Sequence, residues 1–215
     1  MQVQSINNTQ PNFQALKLQT VTKKVGKSIQ TIDVYSLNHK DKALLDRMSE
    51  IIKSQTFPED KRLLGAGGVR EIFENGIKRA KSLKEYAFDR VMLAVENGKK
   101  IVGIMDIENY GDQRVRGLAV WNGDKLTRDS LVRAGVKDTA KMDEFALILP
   151  TENTSESLKK YYRGLGFYTP KDSKDLMIEY DRIKNTNVIN SEDIKIKDFR
   201  IKRNKDLVNI LKLDA

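Results

Sequence analysis

Residues 143–167 read DEFALILPTENTSESLKKYYRGLGF. Phe145 to Leu149 is apolar at every position, the pattern of a strand covered on both faces, whereas a half-exposed strand alternates. Pro150 cannot supply a ladder hydrogen bond and closes the run. Asn153 then offers a side-chain oxygen to cap a helix, with Glu156 three positions on reaching back to the cap. Leu158, Tyr161, Tyr162 and Leu165 form one apolar stripe at helical spacing. Gly164 and Gly166 end the helix, and Phe167 starts the chain back toward the sheet. The unit is a buried strand, a polar corner and a short helix carrying two tyrosines.

Outward from this unit, the preceding segment supplies more sheet. Val91 to Val95 is wholly apolar, Glu96-Asn97-Gly98-Lys99 carries the Asn-Gly signal of a tight hairpin, and Ile101 to Ile107 returns. Tyr110 to Gln113 turns again, and Val115 to Trp121 gives a third strand. Leu126 to Val136 reads as a short helix broken near Gly135. Two earlier helices need a sheet to cover. One, capped by Asn38 or Asp41, runs to about Ser54 with Leu44, Leu45, Met48, Ile51 and Ile52 on one face; the other starts near Gly68 with Val69, Ile72, Phe73, Ile77, Ala80 and Leu83 on one stripe. Phe13–Thr22 and Ser28–Leu37 are β-favouring and flank a hairpin turn at Lys23–Lys27. Beyond Phe167, Leu176–Ile183 alternates as an edge strand does, Ile194–Ile201 is β-like and Asp206–Leu213 is helical in pattern. Residues 1–12 are polar and non-periodic, a loose leader.

Composition sets the boundaries. The chain has 215 residues, 39% hydrophobic and 32% charged, enough for one domain with appendages and a heavily charged surface. It has no cysteine and one histidine, His39. Disulfides, thiolate nucleophiles and multi-histidine metal sites are therefore excluded, and no metal is expected. Apolar runs fall far short of the roughly 20 residues that cross a bilayer, so no membrane partner is expected. These features suit a reducing cytoplasm. The formal charge is +9. The last 33 residues, Ile183 to Ala215, carry eight Lys or Arg against five Asp or Glu, a balance of +3, and the densest cluster runs from Lys195 to Lys205. That cluster reads either as a solvated face or as a surface for an acidic partner or nucleic acid.

The closing unit resembles the end of the GNAT acyltransferase superfamily fold, in which a strand is followed by an Asn-containing corner and a helix finishing Tyr-x-x-x-Gly-Phe. Tyr162, Arg163, Gly164, Leu165, Gly166 and Phe167 reproduce that ending. The order of elements from Ile29 to Ile183 is similar to that fold as well. The resemblance implies an α+β, three-layer domain: a mixed, mostly antiparallel sheet with helices on both faces. It places a GNAT-like domain at 29–183, a polar leader with a further strand at 1–28, and a basic tail at 184–215.

The resemblance further implies N-acetyl transfer from acetyl-CoA to an amine, on a small molecule or a protein, by direct attack in a ternary complex. The strands 115–121 and 144–149 splay to admit the pantetheine, and the pyrophosphate rests on the start of the following helix. Carried onto this chain, the cofactor-binding residues are Ala119, Val120, Trp121, Asn122, Gly123, Lys125 and Thr127, with Asn153 at the corner. Tyr162 takes the place of the general acid that protonates the leaving thiolate. Asn122 to Thr127 reads equally as a polar surface turn, and Tyr161 and Tyr162 read equally as the packing stripe of a core helix. A GNAT-fold module that has lost CoA binding is the competing function. Arg62-Leu63-Leu64-Gly65-Ala66-Gly67 fits phosphate-loop spacing too, but no strand leads into it, so a loop before the second helix is the plainer account. Asp106, Glu108, Asp143 and Glu144 are the carboxylates near the strand ends, and the sequence selects no general base among them.

Overall fold

A computed structural model describes residues 15–57, 67–84, 89–109, 111–121, 124–141, 146–152, 154–179 and 193–203. Among them, one eight-stranded sheet runs in the order β7-β6-β5-β4-β3-β2-β1-β8. Strands β1 (Leu16–Val25), β2 (Ser28–Leu37), β3 (Arg90–Glu96), β4 (Lys100–Asn109) and β5 (Gln113–Val120) pair antiparallel in sequence order. β6 (Ala146–Leu149) lies parallel to β5 because α3 (Lys125–Lys141) crosses over between them. β7 (Leu176–Glu179) follows α4 (Glu156–Gly164) and closes that edge antiparallel to β6. β8 (Ile194–Arg203) pairs with β1 at the opposite edge. The sheet thus extends past 29–183 at both ends of the chain.

The two faces carry separate cores. α1 (Lys42–Ser54) and α2 (Val69–Ser82) bury Leu44, Leu45, Met48, Phe73 and Ile77 against Tyr35, Leu93 and Ile104. α3 and α4 cover the other face, where Leu131, Leu158 and Tyr162 meet Val34, Met105 and Leu147. Successive side chains of a strand point to opposite faces, so the wholly apolar β3 feeds both cores, and Val91 to Val95 are fully buried. This is the GNAT-type arrangement, with helices on both faces of a mixed sheet.

Several boundaries differ from those expected. The first hairpin turn tightens to Gly26-Lys27, and β1 runs on to Val25. The Asn-Gly turn stands as expected, with Asn97 at φ 49° and Gly98 at φ 66° and the Lys99 N–H donating to the Glu96 carbonyl across them. Asn38 caps a single 3-10 turn, residues 39–41, through a capping box with Asp41, and α1 follows. α3 is not broken at Gly135 but continues to Lys141. A Cβ at Gly135 would lie 2.9 Å from Met105 Cε and 3.2 Å from Ile107 Cδ1, so this glycine lets α3 approach β4 closely. α4 takes its cap from Ser155, whose side chain accepts from the Leu158 N–H. Asn153, Phe145, Asp143, Glu144, residues 1–14, the segment Arg62–Ala66 and the stretch Asp206–Leu213 lie outside the described residues.

Candidate functional site

The site begins where β5 loses its neighbour. Across β4 and β5, Asp106 opposes Gly117 and Ile107 opposes Val115, so Arg116 is the extra residue of a bulge. A bulge bends its strand and increases its twist. On the other side of β5, the described ladder with β6 consists of Gln113↔Leu147 and Arg114↔Ile148. From Val115 onward the β5 edge has no β6 partner. Asp175 fixes the last paired position: it binds Arg114 Nη2 at 2.8 Å and accepts the Thr151 N–H at 3.1 Å just past the end of β6. Among the described residues the ladder therefore ends within the strand pair, and β5 runs on to Val120 beside a gap, with backbone N–H and C=O groups of the kind that pair with an extended amide chain.

On the α2 side of this gap lies a polar cavity of about 480 Å³, lined by α2 between Ile72 and Ser82 and by Asp106, Arg116 and Gly117. Gly117 belongs to β5 beyond its described ladder with β6 and pairs with Asp106 of β4. Asp106 is 6% exposed. Arg79 Nε stands 3.1 Å from Asp106 Oδ1 and Arg116 Nε 4.0 Å from Oδ2. The 3.1 Å pair meets the distance of an ion pair but not the alignment of a hydrogen bond; both atoms are buried and both lack a hydrogen-bond partner. The other ends of the two arginines are engaged, Arg79 Nη2 by Asp89 at 2.6 Å and Arg116 Nη1 by Glu108 at 3.0 Å. Burial dominates the acidity of Asp106. It raises the carboxyl from 3.8 to about 6 against the opposing pull of the two guanidiniums. Near neutral pH Asp106 is an ionised carboxylate more basic than an ordinary one.

The two tyrosines of α4 pack into the core on the other face of the sheet. Tyr162 is fully buried in the cluster that also contains Val115 and Leu118 of β5 and Leu147 and Leu149 of β6, the strands on either side of the opening. Its ring packs edge-on against Tyr161 and Phe167, with centroids 5.0 and 6.0 Å apart. Tyr161 is partly exposed, with Lys125 Nζ 5.4 Å from its ring centroid.

The start of α3 is already served from within the chain. Asp124 Oδ2 accepts from both the N–H and the hydroxyl of Thr127, each at 2.8 Å. Asp124 is thus the cap, and Thr127 is its donor rather than a cap itself. Lys125 is held by Asp129 at 2.6 Å, and burial raises the carboxyl of Asp129 above its ordinary range. Ala119 and Val120 are buried in β5. Trp121 packs on Phe57 and Phe73, with centroids 4.4 and 5.9 Å away, and so belongs to the α1/α2 core. Asn122 and Gly123 lie outside the described residues. The first turn of α3 offers a pyrophosphate neither the Thr127 N–H nor a free Lys125.

The remaining candidates fall elsewhere. His39 Nδ1 lies 2.6 Å from the Leu83 carbonyl, a tie between the 3-10 turn and the end of α2, and His39 is not part of the cavity lining. Lys195 and Lys197 are exposed on β8. Among the described residues no cluster of His, Asp and Glu suits a metal ion, and no helix is long and apolar enough to cross a membrane.

Neither a family model nor a curated protein matches the chain. Among solved structures, an N-acetyltransferase from Staphylococcus aureus Mu50 is similar at 14% identity and TM-score 0.45, covering 70% of this chain and 98% of its own. A mutant spermidine N-acetyltransferase SpeG from Vibrio cholerae is similar at 13% identity and TM-score 0.46, covering 72% and 96%. A mutant AtaT toxin, bound to the C-terminus of the antitoxin AtaR and acetyl-CoA, is similar at 10% identity and TM-score 0.46, again covering 72% and 96%. The fold assignment rests on the strand order, the parallel β5–β6 pair and the gap between them.

Proposed function

We propose that this chain is an N-acyltransferase that moves an acetyl group from acetyl-CoA to an amine by direct attack. One observation supports the reading best: Asp106 is a buried, basic carboxylate beside β5, past the end of its described ladder with β6, and Tyr162, buried on the other face of the sheet, is the proposed proton donor. Acyl transfer to an amine needs a proton acceptor on the side of the nucleophile and a proton donor on the side of the leaving sulfur. The thioester supplies the activated acyl group. The open β5 edge from Val115 to Val120 positions the pantetheine amides as a strand would, and Asp106 takes the proton that the ammonium must lose before it attacks. Tyr162 returns a proton from its hydroxyl to the sulfur. No covalent bond to the protein is required. The absence of cysteine suits a cytoplasmic setting for this chemistry.

A second reading has its own observation. Asp124 satisfies the first turn of α3, where a CoA pyrophosphate would otherwise rest, as expected of a GNAT-fold binding module that no longer takes CoA. Thermal unfolding of the full chain with CoA separates the two, since a ligand that binds only the native state raises the midpoint. The transferase reading expects a rise with CoA and acetylated product by mass spectrometry from acetyl-CoA and an amine mixture. No shift and no product would leave the module.

A further inference from the structure

The cavity beside Asp106 is asymmetric in charge and in depth. Its floor holds Asp106 and Arg79, whose facing atoms are buried and incompletely hydrogen-bonded. Its rim holds Lys78, which is exposed, and Arg116, whose side chain is 50% exposed. Among the described residues Lys78 makes no ion pair, and Glu108 occupies only one end of the Arg116 guanidinium. Asp89 and Glu108, the other nearby carboxylates, are turned to the arginines and are not part of the lining. The lining thus sets three cations, Lys78, Arg79 and Arg116, against the single carboxylate of Asp106.

Resting on the acyl-transfer reading of this cleft, we infer that the acceptor is a small zwitterion, an amine that also carries a carboxylate, with its amine on Asp106 and its carboxylate on Lys78 and Arg116. Buried donors and acceptors without partners are costly and are completed by a ligand of matching charge. An amine entering first meets the only carboxylate of the lining, and an anionic group behind it meets the rim cations, where a guanidinium fork suits a carboxylate. A polyamine satisfies only the floor and brings further positive charge against the rim.

Calorimetric titration of the full chain without any thioester donor tests this. The probes are alanine, leucine and phenylalanine, their amides (which keep the amine and lose the carboxylate), and spermidine. The amino acids are expected to bind at least about tenfold more tightly than their amides, the worth of one charge-assisted hydrogen-bond pair. The Lys78→Gln, Arg116→Gln double variant is expected to abolish most of that preference. Amides or spermidine binding as tightly as the amino acids, a preference that survives the double variant, or no binding by any amino acid would each overturn the inference. Because no donor is present, zwitterion-selective binding without turnover would sink the acyl-transfer reading alone. Efficient acetylation of spermidine in preference to amino acids would keep that reading and sink this inference.

Discussion

Asp106 joins the chemistry to stability. Its native acidity lies near 6, above the unfolded value of 3.8, so between those limits the native state binds more protons than the unfolded chain. Stability contributed by this group is therefore present at low pH and lost as pH rises through about 6. Wild type is expected to gain stability over Asp106→Asn as the pH falls from 7 to 4, by at most about 3 kcal/mol, measurable by urea unfolding across that range. The same substitution is expected to lower turnover by about a hundredfold or more and to remove an activity rise centred near pH 6. Unchanged turnover would exclude Asp106 as the base. Tyr162→Phe is expected to lower turnover with CoA affinity nearly intact, while Tyr161→Phe leaves turnover in place; the reverse result would move the acid to the neighbouring tyrosine. Asp124→Asn keeps a competent cap and removes a negative charge from the helix start. CoA is expected to bind that variant more tightly, by about 1 kcal/mol from the change in charge at the dipole, and weaker binding would contradict the reading of Asp124 as an internal occupant.

Among elements, α3 and β5 show what the sequence conveyed and what it withheld. The apolar runs and helical stripes placed β3, β4, β6, α1, α2 and α4, because burial on one or both faces leaves a local signature. Gly135 looked like a breaker, since glycine lowers helix propensity, yet its purpose is close packing against β4, a tertiary constraint that no local pattern carries. Gly135→Val is expected to destabilise by about 1–3 kcal/mol through overpacking; an unchanged unfolding midpoint would show that α3 can shift away. The bulge at Arg116 left no trace in the sequence, because it depends on which residue of β4 stands opposite. The same holds for Asp106: alternation puts it on the α2 face, but Arg79 reaches both Asp106 and Glu108, and only the cavity distinguishes them. The cap at Asp124 was missed, although an Asp three residues before Thr127 at a helix start is a capping pattern. Ser155 displaced Asn153 because the cap must sit immediately before the first helical residue, Glu156.

At the scale of the molecule, the described eight-stranded sheet lies between two helical layers, with a separate apolar core behind each face. β1 and β8 widen the sheet at the edge far from the gap. Arg133 of α3 ties β8 in through Asp198 at 2.6 Å. We propose that residues 29–183 remain the functional unit and that β8 adds stability alone. Deleting residues 186–215 is expected to leave cooperative unfolding and CoA binding in place with a lower midpoint; a non-cooperative transition would make β8 integral to the fold. The central claim concerns the opening between β5 and β6, and a crystal structure of the full chain with a non-hydrolysable acetyl-CoA analogue tests it most directly. The expected result is a pantetheine arm paired to the β5 edge between Val115 and Val120, its acyl carbonyl between Asp106 and Tyr162. An analogue bound elsewhere, or a gap filled by protein with no ligand in it, would contradict the account.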